Sequence, residues 1–140
     1  MLTEHLALIN KYPKKTCFVL KGDEIIFSSE AKGVKPLKEF YEERGASEEP
    51  LTVVDRIMGK GAVMLAVLIG AKTIVTPIIS QIALEYANAN GVKTQFTKVV
   101  PYIVNRTCDG RCPIETAVLN IDEVLQGYEV MDEKLKSLSK

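Results

Sequence analysis

Histidine is nearly absent from this sequence: His5 stands alone among 140 residues, and cysteine occurs only at positions 17, 108 and 112. One histidine on an amphipathic first helix leaves few ligands for a transition metal. An odd number of cysteines, in a chain whose first residues do not resemble a signal peptide, argues against a disulfide framework, so the thiols are expected to be reduced. The first residues, MLTEHLALINKYPKK, carry acid at Glu4. They lack a basic start, a continuous apolar run and a small-residue cleavage site, so a cytoplasmic location is expected.

Charge of one sign is also lacking. Eighteen Lys+Arg balance eighteen Asp+Glu, and without a basic block the electrostatic footprint of a duplex nucleic-acid binder is missing. The longest apolar run, Ala62–Ala71, is about half of what a bilayer span requires, so it reads as a buried helix and no membrane partner is expected. Hydrophobic residues make up 46% and charged residues 26%, close to soluble globular averages. One domain with one core over residues 1–140 is expected from this length.

What is present is a regular alternation of element signals. Leu2, Leu6 and Ile9 recur at helical spacing before Pro13. Thr16–Lys21 and Glu24–Ser28 flank Gly22-Asp23, which predicts a hairpin with a two-residue turn. Residues 33–46 place Pro36 early and Gly45 late, the start and stop of a helix. Leu51–Val54 lead into Asp55, after which residues 56–70 are apolar nearly all round and predict a central helix covered on several sides.

Lys72–Ile79 reads as a buried strand, followed by a helix from Ser80, its N-cap, to Asn90. Lys93–Ile103 is the next predicted strand. A polar loop, Asn105–Cys112, precedes a helix opened by Pro113 and Glu115. In the last segment Val124, Tyr128, Met131, Leu135 and Leu138 form one apolar stripe, expected to pack on the sheet rather than form a dimer seam. A hairpin joined to strands linked by helical crossovers predicts an α/β fold, a three-layer α/β/α sandwich with a mixed sheet.

Two segments carry candidate chemistry. The first is DRIMGKGA, residues 55–62, at the entry to the central helix. Unpaired N–H groups at a helix start attract anions, and Lys60 beside Gly59 and Gly61 adds charge where a ligand can approach closely. It is not a phosphate-binding P-loop: Val54 stands where that pattern needs its first glycine, and Gly61 where it needs Ser or Thr. Asp55 reads equally well as an ordinary N-cap. Lys60, a lysine inside an apolar run, has to snorkel, find a partner or face a cleft. The cleft is favoured, with Asp55 as its charge partner.

The second segment is NRTCDGRCPIE, residues 105–115. With Pro113 as first helical residue, Cys112 becomes the N-cap, where the helix dipole together with Arg106 and Arg111 favours thiolate. The same residues equally describe an ordinary helix start with a small buried cysteine. Cys108 and Cys112 offer two soft ligands and no completing set, so no metal and no cofactor is expected.

DRIMGKGA before an apolar helix and NRTCDGRCPIE after the last strand together resemble an uncharacterised bacterial domain family with a cytidine deaminase-like fold. The resemblance runs from about Thr16 to the C-terminal helix. It implies that Asp55, Gly59, Lys60, Asn105, Cys112, Pro113 and Glu115 occupy the family's motif positions. Zinc deaminases carry H-x-E at the start of the central helix and P-C-x-x-C at the start of the next. The corresponding positions here are Lys60-Gly61-Ala62 and Ser80-Gln81-Ile82, which hold no His, Cys or Glu.

The leading expectation is therefore a binding domain for a small anionic or nucleotide-like ligand. Lys60 and Arg106 would hold its charge, Asp55 would orient Lys60, Asn105 would hydrogen-bond the ligand, and Gly59 and Ser80 would line the site. The rival is an enzyme using Cys112 as nucleophile or redox thiol, with Glu115 or Asp55 as acid–base partner. A third reading is an interaction module, a homodimer through an outer helix or a sheet edge.

Overall fold

The computed structural model describes residues 2–104 and 110–138. Helix α1 (Leu2–Lys11) ends ahead of Pro13, and the hairpin β1 (Cys17–Lys21) and β2 (Glu24–Ser29) follows. Its turn uses Gly22 at φ 61°, the backbone region that a tight hairpin turn requires and glycine enters freely. The remaining elements are α2 (Lys35–Arg44), β3 (Leu51–Asp55), β4 (Ile57–Met58), α3 (Lys60–Ile69), β5 (Ala71–Ser80), α4 (Gln81–Ala89), β6 (Lys93–Val100), α5 (Pro113–Ala117) and α6 (Val124–Leu138).

These strands form one six-stranded mixed sheet. Strand β6 pairs along one edge of β5, from Thr73 to Ser80, so β3 and β4 follow one another along the other edge. They amount to a single strand interrupted at Arg56. Beyond β3 lie β1 and then β2, and β1 alone runs against the rest. Crossovers from β3/β4 to β5 and from β5 to β6 carry α3 and α4 to the same face, where the two helices pack together.

Alternation along β1 divides the core in two. Phe18 and Leu20 face α1 with Val54, Val75 and Ile9. Cys17 and Val19 face the opposite way, into the larger cluster that also holds Val53, Ile74, Ile79 and the apolar residues of α2, α3 and α4. The architecture is a three-layer α/β/α sandwich. Helix α3 packs against α2, α4, α5, α6 and β5, which explains why Ala62 to Ala66 are all buried.

Two boundaries and one packing partner depart most from the sequence-based expectation. The central helix starts at Lys60 rather than residue 56, because Ile57 and Met58 pair with Ile78 and Ile79 and hold the backbone extended through Gly59. Asp55 consequently closes a strand, and Gly59 is the N-cap. Strand β6 stops at Val100, since Pro101 has no N–H to extend the ladder. Helix α6 packs on α3 rather than on the sheet: Gly127 lies against Met64, and Met131 is fully buried over Gly61. Its outer contacts reach α2, where the Tyr128 hydroxyl donates to Glu42 at 2.6 Å.

The turn from α3 into β5 depends on one glycine. Gly70 sits at φ 98°, and a Cβ there would lie 2.7 Å from the Ser47 carbonyl oxygen, a backbone atom that cannot move aside. Gly70→Ala is expected to cost about 2 kcal/mol, from the left-handed conformation plus this clash. Urea denaturation would show it as a lowered midpoint with an unchanged slope.

Candidate functional site

The parallel strands β3/β4, β5 and β6 end along one edge of the sheet, where α3 and α4 begin. In an open α/β sheet this is the crevice in which ligands are held. Glu115, delivered by α5, enters it with only 3% of its surface exposed. Its Oε2 accepts from the Lys60 backbone N–H at 2.8 Å and from the Ser80 hydroxyl at 2.5 Å, while Oε1 accepts from the Ile103 N–H at 2.9 Å. The Ser80 oxygen in turn accepts from Ala83 N–H at 3.2 Å, so it caps α4 as expected.

One carboxylate thus ties together the start of α3, the start of α4 and the segment after β6. The approach requires Gly59, since a Cβ there would sit 2.9 Å from Oε2. The partial positive charge of the α3 start favours this buried anion. Sequence reasoning placed Gly59, Lys60, Ser80 and Glu115 among the site residues, and the structure brings these four together. It does so with Glu115 in the place an external anion was expected to take. Three of its acceptor sites are taken by the Lys60 N–H, the Ser80 hydroxyl and the Ile103 N–H, the contacts that fix its position.

Lys60 does face a groove, but Asp55 does not orient it. Its ammonium donates to the Leu119 carbonyl at 2.9 Å, lies 3.5 Å from Asp122 Oδ1 and stands 5.4 Å from the centre of the Tyr86 ring. The interposed β4 removes Asp55 from the helix that would have made the two neighbours. The lysine stem, buried to 2% exposure, instead runs toward α4 and the segment between α5 and α6. The groove is open to the surface, has a volume of about 440 Å³ and is lined by Lys60, Ile82, Glu85, Tyr86, Asn90, Leu119 and Asp122. The Tyr86 hydroxyl donates to the Asp122 carbonyl at 2.6 Å. Burial first, and then the charges of Asp122 and Glu123, hold that phenol above its ordinary range.

Tyr86, Leu119 and Asp122 were not sequence-based candidates. The signal available was weak: an aromatic on one turn of α4, and acids ahead of α6 that read as ordinary helix-start residues. Leu119 takes part through its backbone carbonyl, which no side-chain pattern reports.

Asp55 is buried separately, with 5% exposure. Its Oδ1 accepts from the Arg56 N–H at 2.8 Å, whereas Oδ2 has no hydrogen-bond partner among the described residues. Burial pushes its carboxyl up to about 8, opposed by the Arg56 N–H and charge. Opposite it across the β1–β3 ladder lies Cys17, whose thiol is raised by burial and by Asp55. Arg56 turns away to bond the carbonyls of Ile9, Tyr12, Pro13 and Lys15, clamping the end of α1 to the sheet.

Cys112 is the N-cap of α5 with Pro113 following, as expected. Its N–H donates to Ile103 O at 2.8 Å, and its free thiol is half-buried against the core. Asn105, Arg106 and Cys108 lie outside the described residues. Among the described residues no group of three or more His, Cys, Asp or Glu is placed to hold a metal ion, and no helix is long and apolar enough to cross a membrane.

The family model described as TM1506, a domain of unknown function (DUF1893), matches residues 8–135. The chain belongs to the DUF1893 family. The DUF1893 match takes in both candidate segments and runs from within α1 to within α6. A solved structure similar to this chain is that of a DUF1893 family protein (TM1506) from Thermotoga maritima. It is 24% identical, superimposes with a TM-score of 0.84 and is matched over 95% of this chain and 88% of that one. At that identity the likeness establishes a shared DUF1893 fold. No curated protein matches the chain.

Proposed function

We propose that this DUF1893 chain is a small-molecule-binding domain of cytidine deaminase-like architecture without zinc deaminase chemistry. The observation that carries the binding reading is Lys60, a nearly buried cation whose head opens on a groove rather than on bulk water. An ammonium has three donors. One goes to Leu119 O and a second is only loosely engaged by Asp122, so capacity remains for an anionic group. The Tyr86 ring and Ile82 supply apolar surface, while Glu85 offers an acceptor for a hydroxyl donor. A nucleotide-like ligand has both halves of this chemistry: a phosphate for Lys60 and a hydroxyl for the Glu85 carboxylate.

The deaminase-like reading is supported by the sheet, in which β1 alone is reversed and α3 and α4 start side by side at the strand ends. Zinc does not fit the residues present there. The two helix starts provide Lys60-Gly61-Ala62 and Ser80-Gln81-Ile82, and the Glu115 carboxylate is hydrogen-bonded between them instead of a thiolate or imidazole set.

Nuclear magnetic resonance titration with adenosine 5′-monophosphate and with inorganic phosphate tests the reading. Shifts are expected around Tyr86, Asn90 and Leu119, and Lys60→Met is expected to weaken binding at least about tenfold by removing a charge-assisted hydrogen bond. If neither probe moves those resonances at millimolar concentration, the groove is not an anion site.

A further inference from the structure

The loop between α5 and α6 meets the groove in two different ways. Its backbone is tied down: Leu119 O takes the Lys60 ammonium at 2.9 Å, and Asp122 O takes the Tyr86 hydroxyl at 2.6 Å. The Asp122 side chain is not. It is 91% exposed, and its Oδ1 lies 3.5 Å from the ammonium, at the far limit of a hydrogen bond. A carboxylate that keeps its hydration gains little from so long a contact. Moving it aside is a rotamer change that leaves the loop backbone, Leu119 and Tyr86 where they are.

From this geometry we infer that Asp122 is an internal counter-ion that competes with the ligand for Lys60 and gates the groove. The inference rests on the proposed anion site at Lys60. The site is otherwise prepared: the lysine stem is packed, one of its donors is anchored on Leu119 O, and the Tyr86 ring lies beneath the head. An entering phosphate or carboxylate would take over the position of Asp122 Oδ1 and turn the like-charged, already hydrated side chain away from Lys60. With Glu85 also lining it, the empty groove carries more acid than base, and an anion binds against that field. Asp122 therefore sets affinity and selects ligands able to displace a carboxylate.

The test compares wild type, Asp122→Asn and Lys60→Met in binding inorganic phosphate and adenosine 5′-monophosphate at two ionic strengths. Asp122→Asn is expected to tighten both probes about fivefold at low salt, the effect of removing one like charge at roughly 4 Å in a water-like medium, and to lose most of that gain in high salt. The fold should survive, because the side chain is exposed and the Asp122 carbonyl bond to Tyr86 remains. Binding by the Asn variant alone would also support the gate. Equal binding by wild type and the Asn variant overturns the gate and leaves the anion site standing. Weaker binding by the Asn variant assigns Asp122 to the ligand and likewise overturns the gate. No binding by either, or undiminished binding by Lys60→Met, removes the anion site at Lys60 and the gate together.

Discussion

Glu115→Ala is expected to destabilise the protein by about 3–5 kcal/mol, a large share of the roughly 5–15 kcal/mol net stability of an ordinary domain. Removing the carboxylate leaves the N–H groups of Lys60 and Ile103 and the Ser80 hydroxyl facing each other without an acceptor. Each such buried orphan costs about 1–3 kcal/mol, and relief of the buried charge offsets part of the sum. Glu115→Gln keeps the shape but points an amide N–H₂ at one of the donors, so it should lose about 2 kcal/mol. Urea denaturation at neutral pH measures both. If Glu115→Gln matched wild type, the carboxylate would be a spectator and the three contacts incidental. Amide exchange adds a local readout: the starts of α3 and α4 should lose protection together, because one side chain holds both.

Asp55 is expected to make stability fall as pH rises. Its carboxyl is raised from 3.8 to about 8 in the folded protein, so the folded state keeps a proton that the unfolded chain has released. The contribution is complete below the unfolded value. It declines by up to about 1.4 kcal/mol per pH unit between roughly 4 and 8, and beyond that it is gone. Cys17 acts in the same direction at higher pH: its folded thiol is raised above 9.0, so further stability is lost in the alkaline range. The two arms separate on the pH axis. Asp55→Asn should flatten the acidic-to-neutral arm, leave the alkaline arm in place, and exceed wild type in stability at pH 8. Denaturation midpoints at pH 5, 7 and 9 decide the point, and a slope unchanged in the Asn variant would show that Asp55 is not the group titrating.

The elements were legible in the sequence wherever a local signal stood alone. The hairpin follows from two β-rich runs around Gly22-Asp23, the end of α2 from Gly45, and the start of α4 from the Ser80 cap, which the structure shows bonded to Ala83 N–H. The same local rules failed between Asp55 and Gly59. An apolar run after an acid reads as a capped helix, yet Ile57 and Met58 are recruited by Ile78 and Ile79 of β5. Strand pairing at a sequence distance of some twenty residues outweighed a weak local preference.

Site residues divide along the same line. Gly59, Lys60, Ser80 and Glu115 could be named because helix starts, glycines and a lysine in an apolar run are visible as residue types. Their partners could not. Lys60 reaches Leu119 O and Asp122, and Glu115 reaches Ile103 N–H, through contacts set by how α5 and its flanking segments fold back on α3. Sequence by itself determined the α/β sandwich, the poverty of metal ligands and the candidacy of Lys60 and Glu115, which meet at the strand ends, since these depend on residue type and periodicity. Only the tertiary structure decided that the α3 start is filled by the chain's own carboxylate and that the lysine opens on a separate groove. Hydrogen-bond partners across a sheet edge are chosen by distance in space, and backbone donors and acceptors are the same in every residue that could have supplied them.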